Sequence, residues 1–266
     1  MKTSKKLVIA AVLVGTASAA YAASHSFSSA SNAVNQGDEV DKNGNRVFWT
    51  VYARDWNSQS VTVNDIARKD VSMDWDLKDM DSADYVGGGG WQNVSTPNTL
   101  YYDLFDWTTS GGKGTFGAYG WSCGVPAGNL NVEYYVVEAA FGGWTPPTNA
   151  GEYTLTKVRK NNKDLVVKTN NGDYQIYQSG QINNQPSYCQ SGNTKPAFKQ
   201  VWAVRTSNKY VRASQTNPGR GTIDFKVLKE VMDDYGYFNA NSAYLVIGAE
   251  GFKKSKGHIR LRVGKT

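Results

Sequence analysis

Histidine and cysteine are nearly absent from this chain, with two of each in 266 residues. His25 and His258 alone cannot supply the His- and Cys-rich sets that hold zinc. They also leave a Ser-His-Asp or Cys-His nucleophile short of partners. No metal and no other cofactor is expected. Beyond the first residues there is no apolar run approaching the ~20 residues that a membrane helix needs. Glycine, by contrast, is plentiful at 27 residues. Two clusters stand out, Gly87-Gly88-Gly89-Gly90 and Gly111-Gly112-Lys113-Gly114. Neither carries the Lys-Ser/Thr of a phosphate loop or opens a helix, so turns or bulges are expected there.

The first 22 residues are unlike the rest. Met1-Lys2-Thr3-Ser4-Lys5-Lys6 is followed by an apolar run from Leu7 to Val14 and then by small residues to Ala20-Tyr21-Ala22. A basic start, a short apolar stretch and an A-x-A site read as a secretory signal peptide over residues 1–22. The expected product is secreted or periplasmic, with no membrane attachment after cleavage. The leader carries Lys2, Lys5 and Lys6 and no acid, so its loss lowers the formal charge from +6 to +3. A charge that small excludes nucleic acid as the expected partner. Residues 23–43 are rich in Ser, Ala, Asn and Asp without periodicity and are expected to be a flexible lead-in. Residues 44–266 are then one domain, a size ordinary for an all-β fold.

From Arg46 onward, short alternating segments recur between Gly, Asn, Asp and Pro clusters. Strands are expected at Val47–Arg54, Val71–Lys78, Gly114–Trp121, Val132–Glu138, Leu155–Arg159, Asp173–Gln178, Phe198–Arg205, Ala243–Glu250 and His258–Val263. One helix is expected from Asp224 to about Tyr235, where Phe225, Leu228, Val231 and Met232 recur at helical spacing. Many strands, one helix, 16 Tyr and 8 Trp predict an all-β jelly roll or sandwich. In His258–Val263 the apolar residues Ile259, Leu261 and Val263 face inward, and the intervening charges suit a strand near a sheet edge.

Carboxylate chemistry remains. Glu133 shares a strand face with Tyr135, and Glu250 shares one with Tyr244, while Leu245, Ile247 and Ala249 form a separate apolar face. Carboxylates among tyrosines suit sugar chemistry: ring faces cover C–H surfaces and the acids act as acid, base or nucleophile. Two cysteines exported to an oxidising compartment invite one disulfide, Cys123–Cys189.

The ordered segments Ala118-Tyr119-Gly120-Trp121, Val132-Glu133-Tyr134-Tyr135-Val136-Val137-Glu138, Asp173–Tyr177, Asn184-Gln185-Pro186-Ser187, Phe198–Arg205 and Ala249-Glu250-Gly251 resemble the family 11 glycoside hydrolases, endo-1,4-β-xylanases. The resemblance runs from about Phe48 to Val263. It implies a jelly roll of two twisted antiparallel sheets with one α-helix. It also implies a retaining double displacement on internal bonds of xylan, with Glu133 as nucleophile and Glu250 as acid/base, about 5–5.5 Å apart. Asp84 falls where the family has Asn or Asp beside the acid/base, and would share its proton. Tyr52, Tyr119, Trp121, Tyr135, Pro186, Gln200 and Tyr244 match substrate-binding positions. For Trp121 and Trp202, packing and sugar contact are equally open readings. Glu138 faces away and has no catalytic role.

Three departures stand out. Gln181 replaces an arginine at the base of the hairpin that covers the substrate, Tyr52 replaces a stacking Trp, and Leu245 replaces a glutamine. They keep a second expectation open, a non-catalytic oligosaccharide-binding protein on the same fold. The expected partner is xylan or a xylo-oligosaccharide, bound by a monomer.

Overall fold

The computed structural model describes residues 22–28, 32–123, 130–185, 187–189, 194–206, 219–233 and 241–266. In chain order the strands are β1 (Ala23–Ser28), β2 (Asn32–Val40), β3 (Arg46–Arg54), β4 (Trp56–Asp65), β5 (Asp70–Leu77), β6 (Asp84–Ser95), β7 (Leu100–Ser110), β8 (Lys113–Ser122) and β9 (Asn131–Phe141). They continue with β10 (Leu155–Lys157), β11 (Arg159–Lys160), β12 (Lys163–Asp164), β13 (Val166–Lys168), β14 (Asp173–Ser179), β15 (Phe198–Arg205), β16 (Arg220–Ile223), β17 (Asn241–Phe252) and β18 (Lys256–Lys265). One α-helix, α1 (Phe225–Asp233), precedes β17.

Two large sheets result, the all-β jelly-roll arrangement that the alternation predicts. A six-stranded sheet has the order β1-β4-β5-β18-β7-β16. A ten-stranded sheet runs β10-β14-β15-β9-β8-β17-β6-β3-β2, with β13 added on β14. Pairing is antiparallel throughout except for β15 and β9, which run parallel. The main core lies between the sheets, where Val61, Val71, Met73 and Leu261 of one meet Val51, Val136, Leu245 and Ile247 of the other, all buried. A second apolar cluster covers the opposite face of the ten-stranded sheet. It includes Phe48, Tyr119, Trp121, Tyr135, Trp144, Trp202 and Tyr244.

Three sequence expectations need correction. Residues 23–43 are not an irregular lead-in: β1 and β2 sit at one edge of each sheet. Backbone pairing and a few side chains hold them where apolar alternation does not. His25 lies against Trp49 with ring centroids 4.7 Å apart, and its Nε2 meets Glu39 Oε1 at 2.9 Å. Second, Gly87–Gly90 forms no turn. It runs through the middle of β6 between β3 and β17. A Cβ on Gly90 would stand 2.2 Å from the Leu245 carbonyl, and one on Gly88 would stand 2.8 Å from that of Ile247. Only glycine lets these backbones approach so closely. The second cluster is a turn, with Gly111 and Gly112 at φ of 61° and 46°.

Third, β18 is not near an edge. It lies between β5 and β7, and its cations pair with aspartates on both neighbours. The helix starts as expected: α1 begins at Phe225 and the Asp224 carbonyl accepts the Leu228 N–H at 3.3 Å, while the Asp224 carboxylate accepts the Asn170 N–H at 2.9 Å. The expected end of the helix near Tyr235, and residues 1–21 of the expected 1–22 leader, lie outside the described residues.

Candidate active site

Alternation on the central strands of the ten-stranded sheet sets the site. On β9, Tyr134 and Val136 enter the main core while Glu133, Tyr135 and Val137 face the second aromatic cluster. On β17, Leu245, Ile247 and Ala249 are core residues, and Tyr244, Val246 and Glu250 face the other way. Register then brings partners from neighbouring strands. Glu133 is opposite Trp121 on β8 and Gln200 on β15, and Glu250 is opposite Thr115 on β8 and Val86 on β6.

Glu133 is 8% exposed and held from two sides. Tyr119 Oη donates to its Oε1 at 2.7 Å, and Gln200 Nε2 donates to its Oε2 at 2.8 Å. Those donors are themselves fixed. Trp121 Nε1 donates to Tyr119 Oη at 2.8 Å, Trp202 Nε1 to Gln200 Oε1 at 3.4 Å, and the Gln200 N–H to Ser179 Oγ at 2.9 Å. Burial raises the Glu133 pKa, and hydrogen bonds from Gln200, Tyr119 and Tyr135 oppose that rise by favouring the anion.

Glu250 is 5% exposed and less well served. Thr115 Oγ1 donates to its Oε2 at 3.4 Å. Burial pushes its pKa well above the usual carboxylate range, and the charges of Asp84 and Glu133 push further, against hydrogen bonds from Thr115 and Tyr135. Asp84, on the same face two residues before Val86, has its Oδ1 buried without a hydrogen-bond partner among the described residues. Burial raises Asp84 to about 7, with Arg54 lowering it and Glu133 raising it. The two surroundings thus differ: Glu133 has two close donors that favour its anion, whereas Glu250 has one long contact and a second carboxyl nearby that disfavours its charge.

Tyr135 joins them. Its hydroxyl favours the charged form of both Glu133 and Glu250. A cavity of about 10 Å³ beside Glu250, lined by Thr115, Tyr119 and Tyr135, has the size of a single water.

The other expected residues fall as follows. Tyr52 is half-buried on this face, across from Val86. Tyr244 meets Tyr119 edge-on at 5.7 Å. Trp121 is 4% exposed, packs on Phe198 at 4.9 Å and supports Tyr119, while Trp202 stacks on Tyr135 at 3.6 Å, so both do packing work here. Gln181 is exposed, with its amide donated to Asn183 Oδ1 at 2.7 Å within its own hairpin. Pro186 lies outside the described residues. Cys123 and Cys189 are bonded, S–S 2.00 Å, as their placement suggested. Beside that bond Tyr188 meets Tyr244 edge-on at 4.6 Å and accepts the Gln92 amide at 3.1 Å. Glu138 belongs to another system altogether. It is a buried core residue at the bulge between β8 and β9, accepting Tyr174 Oη at 2.5 Å and paired with Arg205.

Sequence reasoning missed Thr115, Trp144 and Tyr188. Thr115 was within reach, because it alternates with Tyr119 on β8. Trp144, whose ring is 5.5 Å from that of Trp202, comes from the turn after β9, where no periodicity operates.

The family model described as glycosyl hydrolases family 11 matches residues 45–262. A bifunctional endo-1,4-β-xylanase, XylA of Ruminococcus flavefaciens, is 30% identical over 138 residues, which are 52% of this chain and 12% of that protein. The chain therefore corresponds to a small part of that relative. A solved structure from a comparison of two major endo-1,4-β-xylanases of Trichoderma reesei is similar with a TM-score of 0.52 and 21% identity. The similarity covers 74% of this chain and 88% of that one, and it speaks to the fold alone.

Proposed function

The chain belongs to the glycosyl hydrolases of family 11, and from that premise we propose that it is an exported endo-1,4-β-xylanase that cuts internal bonds of xylan with retention. The observation that carries the reading is the pair Glu133 and Glu250 on one sheet face, both beside Tyr135 but differently surrounded. Glu133, fixed by Tyr119 and Gln200 as an anion, attacks the anomeric carbon. Glu250, kept protonated by burial and by Asp84, delivers its proton to the leaving oxygen. It then takes a proton from a water, which releases the sugar from Glu133. The water-sized cavity against Glu250 suits that second step.

Tyr52 supplies a ring face for the sugars, and Asp84 makes the acid a two-carboxyl unit. The protein works as a monomer without metal or cofactor, in the periplasm or outside the cell.

Reducing-sugar release from unsubstituted xylan by wild type, Glu133→Ala and Glu250→Ala tests the activity. Proton NMR of the first product formed tests the stereochemistry. A β-anomer appearing first supports retention, and an α-anomer assigns inversion. Xylan that binds but is never cut by wild type would favour the carbohydrate-binding reading, which the outward-turned Gln181 keeps in view.

A further inference from the structure

Arginines in this protein are almost all neutralised by neighbours. Among the described residues, every arginine but one has a carboxylate within salt-bridge distance, from the exposed Arg46 with Asp38 to the buried Arg205 with Glu138. The exception is Arg54, and it lies on the sheet face of the candidate site. Along β3 it alternates with Phe48 and Tyr52, both members of the aromatic cluster there, whereas Val51 and Ala53 point into the main core. It is half-buried. Its Nε donates to the Ser82 carbonyl, which anchors the guanidinium by one edge. Asp84 is its cross-strand partner in register, yet their side chains form no salt bridge. Tyr52 and Tyr153 both lie within the field of Arg54, and Tyr153 also lies within that of Glu133. The free fork therefore sits beside the site, among ring faces suited to sugars.

A guanidinium presents parallel N–H groups that match a carboxylate bidentately. A neutral xylose unit offers only hydroxyls, which need no fixed charge. We infer that Arg54 reads a carboxylate carried by the substrate, a uronic-acid branch on a xylan backbone bound on the Asp84 side of Glu250. This rests on the xylanase reading above and adds the substrate's charge to it. The simpler alternative is that Arg54 only moderates the acidity of Asp84, and the test separates the two.

The experiment compares kcat/KM on uronate-bearing xylan, on the same polymer after chemical reduction of its carboxyls, and on unsubstituted xylan. Wild type, Arg54→Gln and Arg54→Lys are each assayed at their own pH optimum. The expected result is a wild-type preference for the acidic polymer that falls about tenfold in Arg54→Gln, with partial recovery in Arg54→Lys. The preference should also be lost with the carboxyl-reduced polymer and weaken as salt is raised. Equal losses on all three polymers, or a shifted pH optimum with an unchanged ratio, would overturn it. Binding of an acidic and a neutral xylo-oligosaccharide, followed by tryptophan fluorescence, supplies a readout free of turnover. Tighter wild-type binding of the acidic one, lost in Arg54→Gln, supports the inference. Equal binding by wild type and Arg54→Gln refutes it and leaves the xylanase reading standing. If wild type neither binds nor cuts any of these sugars, the xylanase reading itself falls, and this inference with it.

Discussion

Each large sheet shows alternating carboxylates on the face away from the main core, and the two faces treat them in opposite ways. On the six-stranded sheet, Asp70, Asp74 and Asp76 of β5 meet Arg260, His258 and Lys256 of β18. Beyond them, Asp103 of β7 meets Arg262. Most of these groups are open to water, where a pair adds little to stability and loses little when broken. On the ten-stranded sheet, Glu133, Glu250 and Asp84 lie among aromatic rings with no cation in salt-bridge distance among the described residues. All three have raised pKa values, with burial as the largest cause. One face spends its carboxylates on a solvated ladder. The other holds them where they are costly and therefore reactive.

The largest difference between the faces should appear in turnover. Glu133→Ala and Glu250→Ala are each expected to lower xylan hydrolysis by at least about a thousandfold, the scale of a lost nucleophile or general acid. Both variants should stay folded, because each removes a buried carboxylate whose anion is penalised. If either keeps more than a tenth of wild-type activity, the aromatic face of the ten-stranded sheet loses its claim to the chemistry.

A third treatment of a carboxylate sharpens the contrast. Glu138 is as buried as Glu133, but Arg205 and Tyr174 compensate it in the main core. Arg205→Met leaves that charge unpaired and is expected to cost about 3–5 kcal/mol. In a domain of this size the melting temperature should fall on the order of 10 °C. Calorimetry of the variant checks this. A melting point within 2 °C of wild type would mean that burial alone, without the cation, sustains such a group.

The pH response follows from the same comparison. Asp84 titrates near 7 when folded and near 3.8 when unfolded, so the folded state binds more protons between those values. Stability from this group is complete below about pH 4 and is lost as pH rises through about 7. The expected fall is about 1–2 kcal/mol, reduced by its coupling to Glu250. Asp84→Asn removes it, and urea unfolding at pH 4 and pH 7 measures the change. Activity should respond in the matching direction. A pair of carboxyls must hold protons that an amide partner does not require, so wild type is expected to work best in acid, with Asp84→Asn shifted upward by about one pH unit. An unshifted optimum would remove Asp84 from the mechanism.

The strands that carry the candidate site were legible in sequence, because β8, β9, β15 and β17 combine strict alternation with aromatic residues. Their facing was also implicit: Glu133 with Tyr135, and Tyr244 with Glu250, stand at even spacing and so share a face. The strands that were missed lack that signal. β4 exposes Asn57 and Ser58 and buries Gln59, so polar residues break its pattern. β6 replaces side chains by glycine because the β17 backbone presses on Gly88 and Gly90, and side chains of the core crowd Gly87 and Gly89. The position of β18 was misread because a cation row looks like edge protection until its aspartate partners are known. Nothing local shows that Asp70 and Arg260, 190 residues apart, form a two-bonded pair. Arg54 went unnoticed for the converse reason, since a missing partner is visible only once all the others are placed.

The smallest expected effect belongs to the outer ladder, and it decides whether the contrast between faces is one of kind. Asp74 is 56% exposed and bonds His258 Nδ1 at 2.7 Å and Ser60 Oγ at 3.0 Å. Asp74→Asn keeps the shape and an acceptor oxygen while removing the charge. The expected cost is under about 1 kcal/mol, smaller still in high salt, with no change in xylan turnover. Asp70 provides the graded control on the same strand, because its side chain is only 5% exposed and meets Arg260 through two bonds of 3.1 Å. Its replacement by Asn should cost more, about 1–3 kcal/mol, since one N–H of a charged donor is left poorly satisfied. Thermal melts of both variants at low and high salt give the comparison directly. If Asp74→Asn proves as damaging as Asp70→Asn, the ladder acts as one connected network, and exposure is not what separates the two faces.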